Sequence, residues 1–298
     1  MYYHYPVLLK ESVKGLKIKP SGIYVDVTYG GGGHSHEILG NIKDGRLFGI
    51  DWDEDAAKNI IQDNRFIFIK GNFRFLKNYL RYFKINKVDG IIADLGVSSH
   101  FFDDPDRGFS YKYNKILDMR MNQNSGFMAR DLLNKYSADS LIRIFRDFGE
   151  LRNAASLAKS IITGRQKILF ETTGQFIKSI SGCIPKTRMN QYLARVFQAI
   201  RIEVNSEMEN LKELLSQATD LINQRGRLVV ISYHSLEDRI VKNFIRWGNF
   251  NSDVNRDIYG NYTTPFRAIN KKVIIPGPEE IRKNSRAKSA KLRIAERN

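Results

Sequence analysis

The sequence predicts an α/β protein, a doubly wound parallel sheet interrupted by a second, mostly helical domain. Three observations carry that prediction. Four short apolar runs each lead into a polar or glycine-containing loop. The first of them continues into four consecutive glycines, and about a hundred residues of helical periodicity separate the fourth run from a fifth.

Taken in order, Ile23-Tyr24-Val25-Asp26 reads as the first strand, and Gly30 to Gly33 as a bare loop that lets the backbone approach a ligand. Arg46 to Asp51 is the second strand. Asp51 lies within the rough ~20-residue interval at which such folds place an acid that accepts from ribose hydroxyls. Phe66 to Lys70 is the third strand and leads into Gly71-Asn72-Phe73; Val88 to Ala93 is the fourth and ends at Asp94. From Asp103 to Gln123 the pattern is irregular. Helical spacing then takes over in Leu141, Ile144, Phe145 and Phe148, in Leu157, Ile161 and Ile162, and in Tyr192, Val196 and Ala199, stripes of the kind that build a core. Ser206 with Glu209 predicts a capped helix running to Gly226 as its stop. Arg227 to His234 is the fifth strand, Ser235 to Arg239 opens another helix, and Gly248 to Pro265 reads as a loop. The domain division expected is 1–106 with 204–298 for the sheet, and 107–203 for the insertion.

The glycines bear on the ligand. A dinucleotide loop follows G-x-G-x-x-G, but its third position is filled by Ser35 counting from Gly30, or by His36 counting from Gly31. S-adenosylmethionine needs no pyrophosphate seat, and a loop without the third glycine suits its amino-acid tail while Asp51 serves its ribose. A simple tight turn at Gly30 to Gly33 is the alternative. Three carboxylates, Asp26, Asp51 and Asp94, each closing an apolar run, weigh against it.

Lys plus Arg number 48 and Asp plus Glu 32, a net charge of +16 that suits a polyanion, nucleic acid first. From Arg267 to the end there are ten Lys or Arg against three Glu, a net of +7. The single cysteine, Cys183, excludes an internal disulfide, and the five histidines show no metal-ligand spacing, so no metal is expected. No signal peptide and no apolar stretch of ~20 residues is present, which predicts a cytoplasmic protein with no membrane partner.

The chain resembles the RsmH (MraW) family of S-adenosylmethionine-dependent methyltransferases, which act on the N4 amine of a cytidine in the decoding region of 16S ribosomal RNA. The matching segments run nearly end to end: His4 to Leu9, Thr28 to Ser35, Asp94 to Ser99, Arg107 to Ser110, Leu117 to Met121, Phe197 to Arg201, Ile231 to Lys242, and Leu292 to Arg297. The resemblance implies a class I (Rossmann-like) methyltransferase sheet with a helical domain inserted after the fourth strand. It places the cofactor contacts on Gly32, Gly33, His34, Asp51, Phe73 and Asp94, with Phe73 packing on adenine. Where the family has Gln after Ser-Ser-Pro, this chain has Phe101, which lacks the amide. The partner implied is 16S rRNA in the small ribosomal subunit, met by a monomer or a homodimer.

Two roles fit Asp94: acceptor for an N–H of the amine being methylated, or cofactor contact alone. Two fit His234: approach to the flipped base, or the cap of the helix that follows. Asp118 and Arg120 either line the cleft between domains or form an ion pair that fixes the insertion. Arg282, Lys283, Arg286, Lys288, Lys291 and Arg293 are the expected phosphate contacts. A nicotinamide-dependent oxidoreductase and a non-catalytic RNA-binding protein are the competing classes; the missing third glycine disfavours the first, and the intact loop with Asp51 the second.

Overall fold

The computed structural model describes residues 6–96, 104–251 and 262–298. The chain divides into two compact units, Met1–Gly96 with Met208–Asn298, and Val97–Glu207.

The first unit is built on a seven-stranded sheet. Its strands are β1 (Ile23–Asp26), β2 (Arg46–Asp51), β3 (Phe66–Lys70), β4 (Val88–Asp94), β5 (Ile222–Ser232), β6 (Phe266–Ala268) and β7 (Lys291–Arg297), in the order 3-2-1-4-5-7-6. The first five are mutually parallel, whereas β7 runs antiparallel between β5 and β6. This is a doubly wound α/β sheet, as the sequence predicts, with one antiparallel strand added near its edge. The chain reverses direction in strand order on either side of β1 and β4, which leaves the carboxyl ends of those two strands open to a ligand.

Both faces of the sheet are covered, which is why its strands read as apolar runs rather than alternating ones. One face, with Val25, Phe48, Ile50, Ile91, Ala93, Leu228 and Val230, packs on α3 (Leu76–Tyr82), on α9 (Glu207–Leu221) and on α10 (Ser235–Trp247). The opposite face, with Tyr24, Leu47, Ile92, Val229 and Ile231, packs on α1 (Leu9–Leu16) and α2 (Gly33–Asn41). Successive strand residues therefore feed different layers, and a single core truncation such as Leu214→Ala costs about 2–5 kcal/mol.

The second unit holds α4 (Ala129–Lys135), α5 (Ala138–Asp147), α6 (Ala154–Lys167), α7 (Thr173–Ser179) and α8 (Met189–Asn205). Its starts are chemically marked. Ser137 caps α5 by accepting from the Ser140 amide, and Thr172 and Gln175 exchange bonds across the first turn of α7. Leu141, Ile144, Phe145, Leu157, Ile161, Tyr192, Val196 and Ala199 are buried, as their spacing implies.

Two local expectations are corrected. Ser206 does not start a helix in the manner of a capping residue, which needs extended backbone. It stands at φ 50°, where its N–H closes α8 on the carbonyls of Ile202 and Glu203, and Arg201 braces the junction through a two-pronged ion pair with Glu207 at 2.8 and 2.9 Å. Gly226 does not stop the following helix either. That helix ends at Leu221, because Ile222 is already buried against Val88, and a register shift then delivers Arg227 to Gly90. A β-carbon on Gly226 would lie 2.8 Å from the carbonyl oxygen of Asp89, so the glycine answers a close approach inside an irregular strand.

A cofactor-sized site at the strand ends

The loop after β1 is shaped by two glycines with positive φ, Gly30 at 50° and Gly32 at 74°; Gly32 stands at the start of α2. A side chain at Gly32 would meet the Tyr29 hydroxyl at 2.8 Å, and one at Gly33 would meet Pro6 at 2.8 Å. The polypeptide thus passes where only glycine fits, and it presents the first amides of a nine-residue helix toward the strand ends.

Three carboxylates surround this loop, each with a different job. Asp26 is buried beneath it, accepting from the Ser35 hydroxyl at 2.7 Å and the Thr28 amide at 3.2 Å. Burial raises its pKa, opposed by His34 and those two donors. Asp51 accepts from the amides of Gly30 at 2.7 Å and Asp53 at 2.9 Å, one on each oxygen. Burial pushes its pKa up to about 6 against the pull of those amides. Each oxygen retains a lone pair for a further donor, as a ribose diol requires. The β2 and β3 ends are tied together by the Gly71 amide on the Asp51 carbonyl at 2.8 Å, and Phe73 follows two residues later, half-buried.

Asp94 closes β4. Its amide donates to Thr28 Oγ1 at 2.6 Å, its Oδ2 lies 4.0 Å from His34 Nδ1, and the Tyr233 side chain and the Gly96 amide both favour its ionised form. Burial nevertheless raises its pKa. Its Oδ1 is buried without a hydrogen-bond partner among the described residues. An unpartnered buried acceptor is costly, so this atom is a candidate to take a hydrogen bond from a ligand.

His34 is buried, with Nε2 3.1 Å from the Val7 carbonyl. A carbonyl only accepts, so Nε2 carries a proton, and Nδ1 is the ring nitrogen that faces Asp94. Val7 thereby fixes the orientation of the ring, a relationship without a signal in the sequence. His234 caps α10: its Nδ1 accepts from the Glu237 amide at 3.4 Å, and the Glu237 carboxylate accepts in return from the amides of Tyr233 at 2.8 Å and His234 at 3.3 Å. Its Nε2 is 3.2 Å from the same Glu237 carboxylate. Nδ1 is thus spent on the cap, whereas Nε2 makes no hydrogen bond among the described residues.

Within the second unit, Asp118 and Arg120 form a two-pronged ion pair at 2.6 and 2.8 Å, with side chains 14% and 12% exposed. The same guanidinium also donates to the carbonyls of Gln123 and Ser125. Nearby, buried Arg107 donates to the Arg120 carbonyl at 2.8 Å, and Asn205 bridges the Met121 amide and the Met119 carbonyl at 2.7 and 2.8 Å. The residues from Arg107 to Met121 therefore form a cross-braced loop. Phe101 lies outside the described residues.

The expected phosphate contacts divide. Arg282, Lys283, Arg286 and Lys288 are exposed. Arg293 is engaged elsewhere: its Nε donates to Asp238 Oδ1 at 2.7 Å, and Lys291 lies 3.5 Å from the same carboxylate. Those two residues lie on β7, where both face the single carboxylate of Asp238 at the start of α10, and Asp238 is held below its usual pKa by these two cations against the opposing effect of burial.

The glycine loop, the diol-ready Asp51 and the orphan oxygen of Asp94 fit a cofactor with a ribose and an amino-acid tail. Sequence comparison agrees. The model of the MraW methylase family matches residues 1–298. The protein named ribosomal RNA small subunit methyltransferase H from Bacteroides fragilis (strain YCH46) is 54% identical over 296 residues, which are 99% of this chain and 97% of its own. Its namesake from Flavobacterium johnsoniae is 52% identical over 298 residues, 100% of this chain and 98% of its own.

Proposed function

The chain belongs to the MraW methylase family, and from that membership we propose that it methylates the N4 amine of a cytidine in the decoding region of 16S rRNA, within the small ribosomal subunit. It is an S-adenosylmethionine-dependent methyltransferase of small-subunit ribosomal RNA. The choice of amine rests on the family resemblance. The observation that carries the chemistry is the unpartnered Oδ1 of Asp94 beside the glycine loop.

The residues that would hold the cofactor are Gly32 and Gly33 at its amino-acid tail, Asp51 at the ribose, Phe73 at adenine, and His34 and Asp94 near the reacting end. When bound, the cofactor supplies an electrophilic methyl group on a sulfonium. The chain has to supply an amine that can attack it. A cytosine amine is a weak nucleophile because its lone pair is delocalised into the ring. Asp94 Oδ1, accepting one N–H, raises electron density on that nitrogen as the new bond forms and takes the proton afterwards. Holding amine and methyl in line supplies much of the remaining rate. No described helix is long and apolar enough to cross a membrane.

The test is methyl transfer from labelled S-adenosylmethionine to small subunits purified from cells lacking the endogenous activity, read by nucleoside mass spectrometry. N4-methylcytidine is the expected product, and Asp94→Ala is expected to abolish it. A different methylated nucleoside would overturn the choice of amine while leaving the cofactor reading in place.

A further inference from the structure

We propose that Tyr233 is a positioning residue for methyl transfer: its hydroxyl, seated against Gly96, holds the Asp94 carboxyl so that Oδ1 faces the amine being methylated. The proposal rests on the reading of Asp94 as the acceptor for that amine.

Strands β4 and β5 deliver the two residues to one place. Asp94 pairs with Ile231, the Leu95 amide donates to the Ile231 carbonyl at 2.9 Å, and Tyr233 follows at the end of β5. The Tyr233 amide is anchored on Glu237 at 2.8 Å, which fixes where its side chain begins. The ring then lies flat against Gly96. A β-carbon there would stand 2.7 Å from one ring carbon, 2.9 Å from the carbon bearing the hydroxyl, and 3.2 Å from the hydroxyl itself. Glycine at position 96 is therefore what gives the phenol access to Asp94.

Burial, together with the carboxylates of Asp94, Glu237 and Glu280, keeps the phenol protonated, so it acts toward Asp94 as a donor. The remaining neighbours of Asp94 are His34, Thr28 Oγ1 on its amide, the Gly96 amide, and the charge of Asp26 farther off. A carboxyl free to spin presents two equivalent oxygens. With a hydroxyl, an imidazole and an amide gathered about it, Asp94 keeps one oxygen unpartnered. The reaction asks for one oriented acceptor: as the N–C bond forms and the S–C bond breaks, its electron pair passes to sulfur, and the proton shed by nitrogen goes to that oxygen.

Tyr233→Phe keeps the ring against Gly96 and removes only the hydroxyl. Four readouts are compared with wild type: kcat on small subunits, Kd for S-adenosylhomocysteine by calorimetry, the thermal midpoint, and the pH profile of kcat. The expected result is a kcat lowered by about ten- to hundredfold, with Kd changed less than about threefold and the midpoint nearly constant. The acid limb of the profile is expected to move to higher pH, because a lost donor disfavours the ionised carboxylate. Gly96→Ala, which displaces the same ring with its hydroxyl intact, is expected to reproduce the fall in kcat. Unchanged kcat and an unmoved acid limb in Tyr233→Phe would overturn the proposal. So would a weakened Kd with unchanged kcat, which would assign Asp94 to the cofactor alone. Wild-type turnover separates the two levels: its absence, with S-adenosylhomocysteine still bound, overturns the substrate reading and this proposal with it.

Discussion

The amide of Gly30 donates to Oδ2 of Asp51 at 2.7 Å, so the carboxylate that ends the second strand holds up the loop that follows the first. The two halves of the cofactor site are one mechanical unit. Losing Asp51 is expected to remove the proposed ribose acceptor and also to release the glycine loop.

That dual role makes binding sensitive to acid. Asp51 titrates at about 6 in the free chain because burial raises it. Ribose hydroxyls donate best to the ionised form, so below that pH a proton has to leave before the cofactor binds well. The Kd for S-adenosylhomocysteine is expected to rise by up to about tenfold per unit as pH falls below 6, with proton release on binding. Asp51→Asn is expected to bind weakly with a flat profile. Calorimetry between pH 5 and 8 in buffers of different ionisation enthalpy checks both, and a wild-type Kd constant over that range would remove Asp51 from the ribose.

For His234 the cap predicts a stability effect larger than a kinetic one. His234→Ala is expected to cost about 0.5–2 kcal/mol, with His234→Asn, a good capping residue, recovering most of it. Turnover measured well below the unfolding midpoint is expected to change less than tenfold. A loss of several hundredfold in a stably folded His234→Asn protein would restore the histidine to the chemistry.

The Asp118–Arg120 pair is expected to matter for the folding of the inserted unit. Removing either partner strands a charge with little solvent access, at about 3–5 kcal/mol. The double replacement by Ala is expected to cost clearly less than the sum of the singles, because neither charge is then left alone. Denaturant unfolding of the four proteins of this cycle decides it, and additive losses would show that the two act independently.

The exposed cations after residue 280 are the proposed phosphate contacts. Replacing Arg282 and Lys288 by Ala is expected to weaken affinity for the rRNA substrate and to lower the magnitude of the salt slope by about 1–2, one contact for each residue. Affinity measured at four or more salt concentrations reads this directly. An unchanged slope would place the RNA elsewhere on the chain.

Much of the site was legible because it is local in sequence. Strands β1 to β4 end where apolar runs meet Asp26, Asp51, Lys70 and Asp94, and four glycines in a row have few other uses. What lay hidden depends on pairing between distant residues. Lys291 to Arg297 alternates charged with apolar residues, a strand pattern, but the positive excess drew attention to phosphates. Only Asp238, far away in the chain, shows that Arg293 is already neutralised. Tyr233 gave no separate signal either, since its meaning lies in the bare α-carbon of Gly96 across the sheet. Gly226 misled because a glycine after a helical pattern commonly stops it, whereas the adjacent carbonyl of Asp89 is the actual reason for it.

Strand β7 lies between β5 and β6, so residues some sixty positions beyond β5 in the chain occupy an interior row of the sheet. While the chain is growing, β5 presents an edge with nothing alongside it. The inserted unit, whose residues emerge in one uninterrupted stretch, has all its partners much earlier. The sheet of the first unit is therefore complete only once Lys291–Arg297 has been added, well after the inserted unit has all of its own residues.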